Sequence, residues 1–184
     1  VANLHWHNMP FGKIAAERFK TPIYAATDVR MALIAELLWG KARGMKYVAW
    51  MTIGTGDGGY LYLDGKLYGG SHGFAGNLGH GIYDERGGYP CGCGQRGCFE
   101  SYVAGPALAR YGQQAVDEGR SPILRQLSEK AGTPVTTRMV FEAETLQDPA
   151  AQEIIREQIR KMGISLSSMV NLLDLEMIVL GGGV

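Results

Sequence analysis

The sequence predicts a mixed α/β domain, and three observations carry that prediction. Two apolar segments of strand length, "KYVAWMTI" (46–53) and "YLYLDGKLY" (60–68), are joined by the glycine-rich turn "GTGDGG" (54–59), which makes an early hairpin. Much later, apolar positions recur at helical spacing over about 149–172. That helix feeds a closing strand, "EMIVLGG" (176–182), so a helix-to-strand return follows the hairpin.

Each element has its own warrant. "KIAAERFK" (13–20) has the spacing of a short amphipathic helix, and "TPIYAAT" (21–27) reads as a small strand introduced by proline. Asp28 then opens "VRMALIAELLWGKARG" (29–44), apolar at helical spacing and stopped at Gly44. Inside the second strand segment, Asp64-Gly65 is a strong turn signal that predicts a further hairpin. Residues 71–101 read as loop, and helices are expected over roughly 104–118, 121–130 and 137–146.

Composition narrows the function classes. Eighteen basic and eighteen acidic residues cancel, so no overall field recruits nucleic acid or an anionic membrane. No apolar run is long enough to span a bilayer, and no signal peptide is visible at the start. The chain opens abruptly at "VANLHW" and stops at "MIVLGGGV", just as a glycine loop begins, so it reads as a piece of a longer protein.

The stretch "GHGIYDERGGYPCGCGQRGCFES" (79–101) holds all three cysteines of the chain. Cys91, Cys93 and Cys98 lie close together, with His80 eleven residues ahead of the first. A disulfide would leave one thiol over, whereas three thiolates and an imidazole suit a closed tetrahedral zinc site of the Cys₃His type. Metal-ligand cysteines point in turn to a reducing cytoplasm. The competing reading is a glycine-rich loop with unrelated thiols.

Gly54, Gly56 and Gly59 match the pattern G-x-G-x-x-G, but a dinucleotide fold needs a helix after the glycine turn. Here the loop joins two strands, so that fold is excluded. A glycine hairpin can still cradle phosphates through its unobstructed amides, with the Thr55 hydroxyl as a further donor. A tight turn without a ligand is the simpler alternative. Asp57 opposes an anion there unless Mg²⁺ intervenes or the side chain points outward. Asp28 has two readings, a catalytic carboxylate or the N-cap of the helix that follows. His5, His7 and His72 read as surface or loop residues, and Trp6, Trp39 and Trp50 as core or interface residues.

Taken in order, these pieces resemble one family, the ROK proteins, named for repressors, open reading frames and kinases. The resemblance rests on "NLHW", "TPIYAATDVRMALIAE", "TIGTGDGG", "GFAGNLGH", "CGCGQRGCFESYVAG" and "NLLDLEMIVLGGGV", which span nearly the whole chain. It implies an actin- and hexokinase-like (ribonuclease H-like) fold. Residues 1–28 would end a small N-terminal domain and hinge. Residues 29–184 would form the large α/β domain, with a zinc segment at 79–101. The family's phosphate segment D-x-G-G-T and the helix-turn-helix of its repressors are both missing from this sequence.

The resemblance further implies an ATP-dependent kinase for a hexose or amino-hexose, with Mg²⁺ and a structural zinc. Asp28 would be the general base, and Asn3, Thr27, Asn77, His80 and Glu100 would contact the sugar. Gly54, Thr55, Gly56, Gly181 and Gly182 would contact the nucleotide, and His80, Cys91, Cys93 and Cys98 would hold the zinc. A cytoplasmic homodimer is implied as well. The alternatives are a sugar-sensing repressor, the one case in which nucleic acid is a partner, and a ligand-binding relative without activity. Three positions depart from the family pattern. Thr27 stands where Asn is usual and Asn77 where Glu is usual, while Asp57 and Tyr60 stand where the hairpin carries an apolar residue and a glycine.

Overall fold

The computed structural model describes residues 9–184, so Asn3, His5, Trp6 and His7 lie outside the described residues. The elements run α1 (Phe11–Phe19), α2 (Asp28–Trp39), β1 (Val48–Ile53), β2 (Asp57–Leu63), β3 (Lys66–Tyr68), a 3₁₀ turn (Leu78–His80), α3 (Glu100–Val103), α4 (Gly105–Asp117), α5 (Pro122–Ala131), α6 (Thr137–Thr145), α7 (Pro149–Leu173) and β4 (Met177–Gly182).

The sheet has the order β3-β2-β1-β4. β1 and β2 are antiparallel, with Ile53 opposite Asp57, so the glycine turn is a hairpin and not a strand-to-helix loop. The next reversal places Asp64 at φ 51° and Gly65 at φ 71°. Two successive positive φ values match the twist of a tight hairpin, and Asp-Gly is suited to supply them. After the helices, β4 returns parallel to β1, with Val48 opposite Met177 and Ile53 opposite Gly182.

Helices cover both faces of this sheet. Leu33 of α2 packs with Val48, Trp50, Tyr60 and Val179 on one face. On the other face, Ala49 and Leu61 meet Met169 and Leu166 of α7, and Met51 and Ile53 meet Phe99, Tyr102 and Val103. A separate helical core of Leu124, Val135, Val140, Ala143 and Ala151 joins α5, α6 and α7. It is closed at one end by the buried Ser121–Asp148 pair, whose oxygens are 2.8 Å apart.

Two expected elements differ. "TPIYAAT" is not a strand: it is irregular backbone without a ladder partner among the described residues, and Tyr24 is 93% exposed. α2 ends at Trp39, before Gly44, because the Gly40 backbone turns extended (φ −96°, ψ −157°) and the Glu36 carboxylate folds back to accept the Lys41 N–H at 3.0 Å. Trp39 is also 78% exposed and so is no core residue, while Trp50 packs inside against Gly181. His72 is an exposed loop residue beside Ser71, as the sequence suggested.

Candidate functional site

β1 and β4 run parallel and end side by side, so the Gly54–Gly56 turn and Gly183 meet at their carboxyl ends. Open α/β sheets bind ligands in the crevice outside such strand ends. A cavity of about 850 Å³ lies there, walled by Gly54, Thr55, Gly105, Thr137, Phe141 and Gly183. Gly181 and Gly182 stand one step back in β4, opposite Thr52 and Ile53. The α6 residues Thr137 and Phe141 escaped the sequence reading. The Thr137 hydroxyl donates to the Gly105 carbonyl at 2.7 Å, which pins α6 to the start of α4 beside the turn.

The turn itself is partly self-satisfied. The Gly54 N–H donates to the Gly56 carbonyl at 2.9 Å, and the Gly54 carbonyl accepts the Gly105 N–H at 2.8 Å. Gly54 therefore has no amide to offer, contrary to expectation, whereas the Thr55 hydroxyl is exposed. Behind the turn sits Glu100. A side chain at Gly56 would bring its Cβ within 2.5 Å of Glu100 Oε2, and the same oxygen accepts the Asp57 N–H at 2.7 Å.

Asp57 points inward. It is 4% exposed, and neither carboxyl oxygen has a partner. Burial, with the Glu100 charge second, pushes its pKa up to about 7. Near neutrality this carboxyl is therefore only part ionised, which softens its repulsion of an anion at the turn.

Asp28 is not the helix cap. Thr27 is the N-cap, and its hydroxyl accepts the Arg30 N–H at 3.4 Å. Asp28 is the first helical residue, with its Oδ1 accepting the adjacent Val29 N–H at 2.9 Å, and it is exposed. The first turn of α2 stands over the hairpin strands, since a Cβ at Gly58 would lie 2.9 Å from Val29 Cγ1. The fold thus brings an exposed carboxylate to the hairpin region.

His80 ends the 3₁₀ turn, its N–H donating to the Asn77 carbonyl at 3.2 Å, and both side chains are exposed. Cys91 Sγ lies 3.6 Å from His80 Nδ1, and Cys93 Sγ lies 3.6 Å from Cys98 Sγ. One ligand atom from each of the four residues lies within 4.8 Å of every other. A tetrahedron with metal–sulfur bonds of about 2.3 Å has edges of about 3.8 Å, so the cluster fits a single zinc ion. The sulfurs are free thiols.

Backbone pairing shapes this segment: Ile82 bridges Cys98, and Pro90 bridges Arg96. The Tyr102 hydroxyl donates to Asp84 at 2.7 Å beneath it. Burial and the neighbouring thiols push Cys98 up to about 12, burial raises Cys91, and the Gln95 N–H lowers Cys93. Glu100 also reaches this cluster, its Oε1 lying 3.4 Å from Cys91 Sγ. A carboxylate has about four lone-pair sites, so acceptor capacity remains for a further ligand.

The class of protein so defined is an α/β protein of the actin- and hexokinase-like sugar-kinase fold. The ROK family profile matches residues 1–184, and the chain belongs to the ROK family. It is 31% identical to a glucokinase of Halalkalibacterium halodurans over 184 residues, all of this chain and 56% of the relative. It is 27% identical to a xylose repressor of Caldicellulosiruptor bescii over 97% of this chain and 44% of the relative. A ROK family glucokinase from Streptomyces griseus, solved with glucose and AMPPNP, superposes with a TM-score of 0.86 at 31% identity, covering 100% of this chain and 59% of that one. The chain spans about half the length of the curated relatives it matches.

Proposed function

We propose that the whole protein is an ATP-dependent kinase that phosphorylates a hexose or amino-hexose. The observation that carries this reading is the division of labour at the start of α2: Thr27 caps the helix and leaves the Asp28 carboxylate exposed beside the glycine hairpin. Asp28 takes the proton of the attacking sugar hydroxyl as its oxygen bonds to the terminal phosphorus and the bond to ADP breaks. Phosphoryl transfer rests mainly on positioning and charge stabilisation. Thr55 and Gly56 provide donors at the turn, and the nucleoside occupies the cavity at the strand ends, with ATP arriving as its Mg²⁺ complex. Asn3, Thr27, Asn77, His80 and Glu100 are assigned to the sugar.

His80, Cys91, Cys93 and Cys98 are assigned to one zinc ion, which when bound supplies a fixed cross-link for the segment behind the sugar site. Residues 1–28 are assigned to the end of a small N-terminal domain and hinge, and 29–184 to the large domain. In support, the core clusters among the described residues begin only at Leu33. We place the protein in the cytoplasm, where a metal cluster of free cysteines stays reduced. We further assign it as a homodimer, since Met31, Leu38 and Trp39 of α2 expose apolar surface of the kind that subunit contacts cover.

The test is Asp28→Asn in the full-length protein. A general base contributes roughly 10²–10⁴-fold, so kcat should fall by at least about a hundredfold while sugar affinity changes little. The melting temperature should hold, because the cap is Thr27. Near wild-type kcat would remove Asp28 from the mechanism. A second reading, a sugar-sensing repressor, is favoured by the similarity to the xylose repressor. It would be supported by a wild-type protein that binds sugar and DNA but never consumes ATP.

A further inference from the structure

Arg110 of α4 has no ion-pair partner among the described residues. Its guanidinium carbon lies 3.6 Å above the centre of the Tyr89 ring, and one Nη donates to the Ser101 carbonyl at 2.6 Å. Its Nε is buried and has no hydrogen-bond partner. Charged groups removed from water are ordinarily paired with an opposite charge. Here its partners are the Tyr89 ring, the Tyr111 ring at 5.1 Å and a carbonyl, none of which satisfies the Nε.

The guanidinium borders a cleft of about 270 Å³ whose other walls include Thr55, Gly56, Cys91, Glu100 and Pro106. The cleft opens next to the larger cavity at the strand ends, and the two share Thr55 and Pro106. A chain of phosphates that starts from a nucleoside in the larger cavity therefore runs past the Thr55 hydroxyl and ends in the smaller one. There it meets Glu100, a carboxylate already engaged with the Asp57 N–H and Cys91 Sγ. The turn provides only neutral donors, and among the described residues Arg110 is the one cationic side chain in the cleft wall.

We infer that Arg110, together with Thr55 and Gly56, holds the terminal phosphate of the bound nucleotide in the smaller cleft, an inference that rests on the kinase reading. The planar fork of arginine suits two phosphate oxygens at once, and the Tyr89 ring keeps that fork in place. Because the nucleoside and inner phosphates lie elsewhere, the contact discriminates by phosphate number: it favours the triphosphate over the diphosphate and leaves adenosine untouched.

The experiment uses the full-length protein and calorimetric titration with AMPPNP, ADP, adenosine and glucose. Losing a charge-assisted hydrogen bond corresponds to roughly 10- to 100-fold in affinity. Arg110→Met, which keeps aliphatic packing on Tyr89, should therefore weaken AMPPNP by that factor, ADP by less, and adenosine and sugar not at all. Arg110→Lys should recover part of the loss. In the unaltered protein, AMPPNP but not adenosine should slow phenylglyoxal modification of Arg110 as followed by peptide mapping, a readout that needs no variant to fold. Equal weakening of AMPPNP and adenosine, or no protection of Arg110 by AMPPNP, overturns the inference while leaving the kinase reading intact. A wild-type protein that binds no AMPPNP overturns both.

Discussion

Asp57→Asn isolates the energetic consequence of a buried acid beneath the glycine turn. Folding carries this carboxyl from its ordinary 3.8 to about 7, with burial the larger cause and Glu100 the second. The folded protein therefore binds a proton more readily than the unfolded chain between these values, and stability falls as pH rises through that window. The penalty is absent below about pH 4 and complete above about pH 7. A rise of about three pH units, at about 1.36 kcal/mol each, sets a ceiling of about 4 kcal/mol. The usual salt-bridged aspartate behaves in the opposite sense, losing stability as pH falls. Asparagine has nearly the same shape and no titration, so it should flatten this part of the stability profile whatever constant offset its own burial adds. Urea unfolding of wild-type and Asp57→Asn full-length protein at several pH values from 5 to 8 reads the effect directly. The gap between them should shift in favour of Asn by a few kcal/mol over that range. A constant gap would mean that Asp57 is solvated or paired in solution and that the buried geometry does not hold.

The Cys₃His cluster and the sheet each carry a further prediction. Cys98→Ser, which alters the buried member of the Cys₃His set, should abolish stoichiometric zinc and speed amide exchange across 79–101, since closed thiolate sites contribute folding energy; wild-type protein without zinc by metal analysis would refute the assignment. Gly182→Ala should destabilise by on the order of 1–3 kcal/mol for its φ of 116° alone, with a further cost because the new Cβ collides with the Ile53 carbonyl. A chemical-denaturation midpoint unchanged from wild type would contradict the β1–β4 register.

Most of the architecture was legible because local signals and tertiary packing agree. Asp64-Gly65 encodes its turn in two residues, and the spacing over 149–172 encodes α7, which runs Pro149–Leu173. The failures have physical causes. "TPIYAAT" has strand-like residues, but a strand is defined by a neighbour, and none is available among the described residues. The end of α2 is set by where the Glu36 carboxylate folds back, which periodicity cannot show. The clustering of His80, Cys91, Cys93 and Cys98 was readable because their residue types are distinctive and they lie close together in sequence. Thr137, Phe141 and Arg110 were not, because α6 and α4 bring them to the turn from distant positions and their residue types carry no signal of a site.

The start of α2 shows how a departure from a family pattern can be understood from its local physics. Asparagine and threonine are both good N-caps, because each places a side-chain oxygen within reach of the N–H three residues on. Thr27 does this to Arg30. Threonine therefore preserves the helix start, and its hydroxyl, which accepts the Arg30 N–H, keeps its O–H to donate to a ligand. Helix geometry constrains Asp28 differently. As the first helical residue it follows the cap; its Oδ1 accepts the Val29 N–H at 2.9 Å, and the carboxylate stays exposed where the helix dipole favours a negative charge. The cap and the carboxylate that the proposed mechanism uses are thus neighbouring residues, and a change at Thr27 that kept a capping oxygen would leave Asp28 in place.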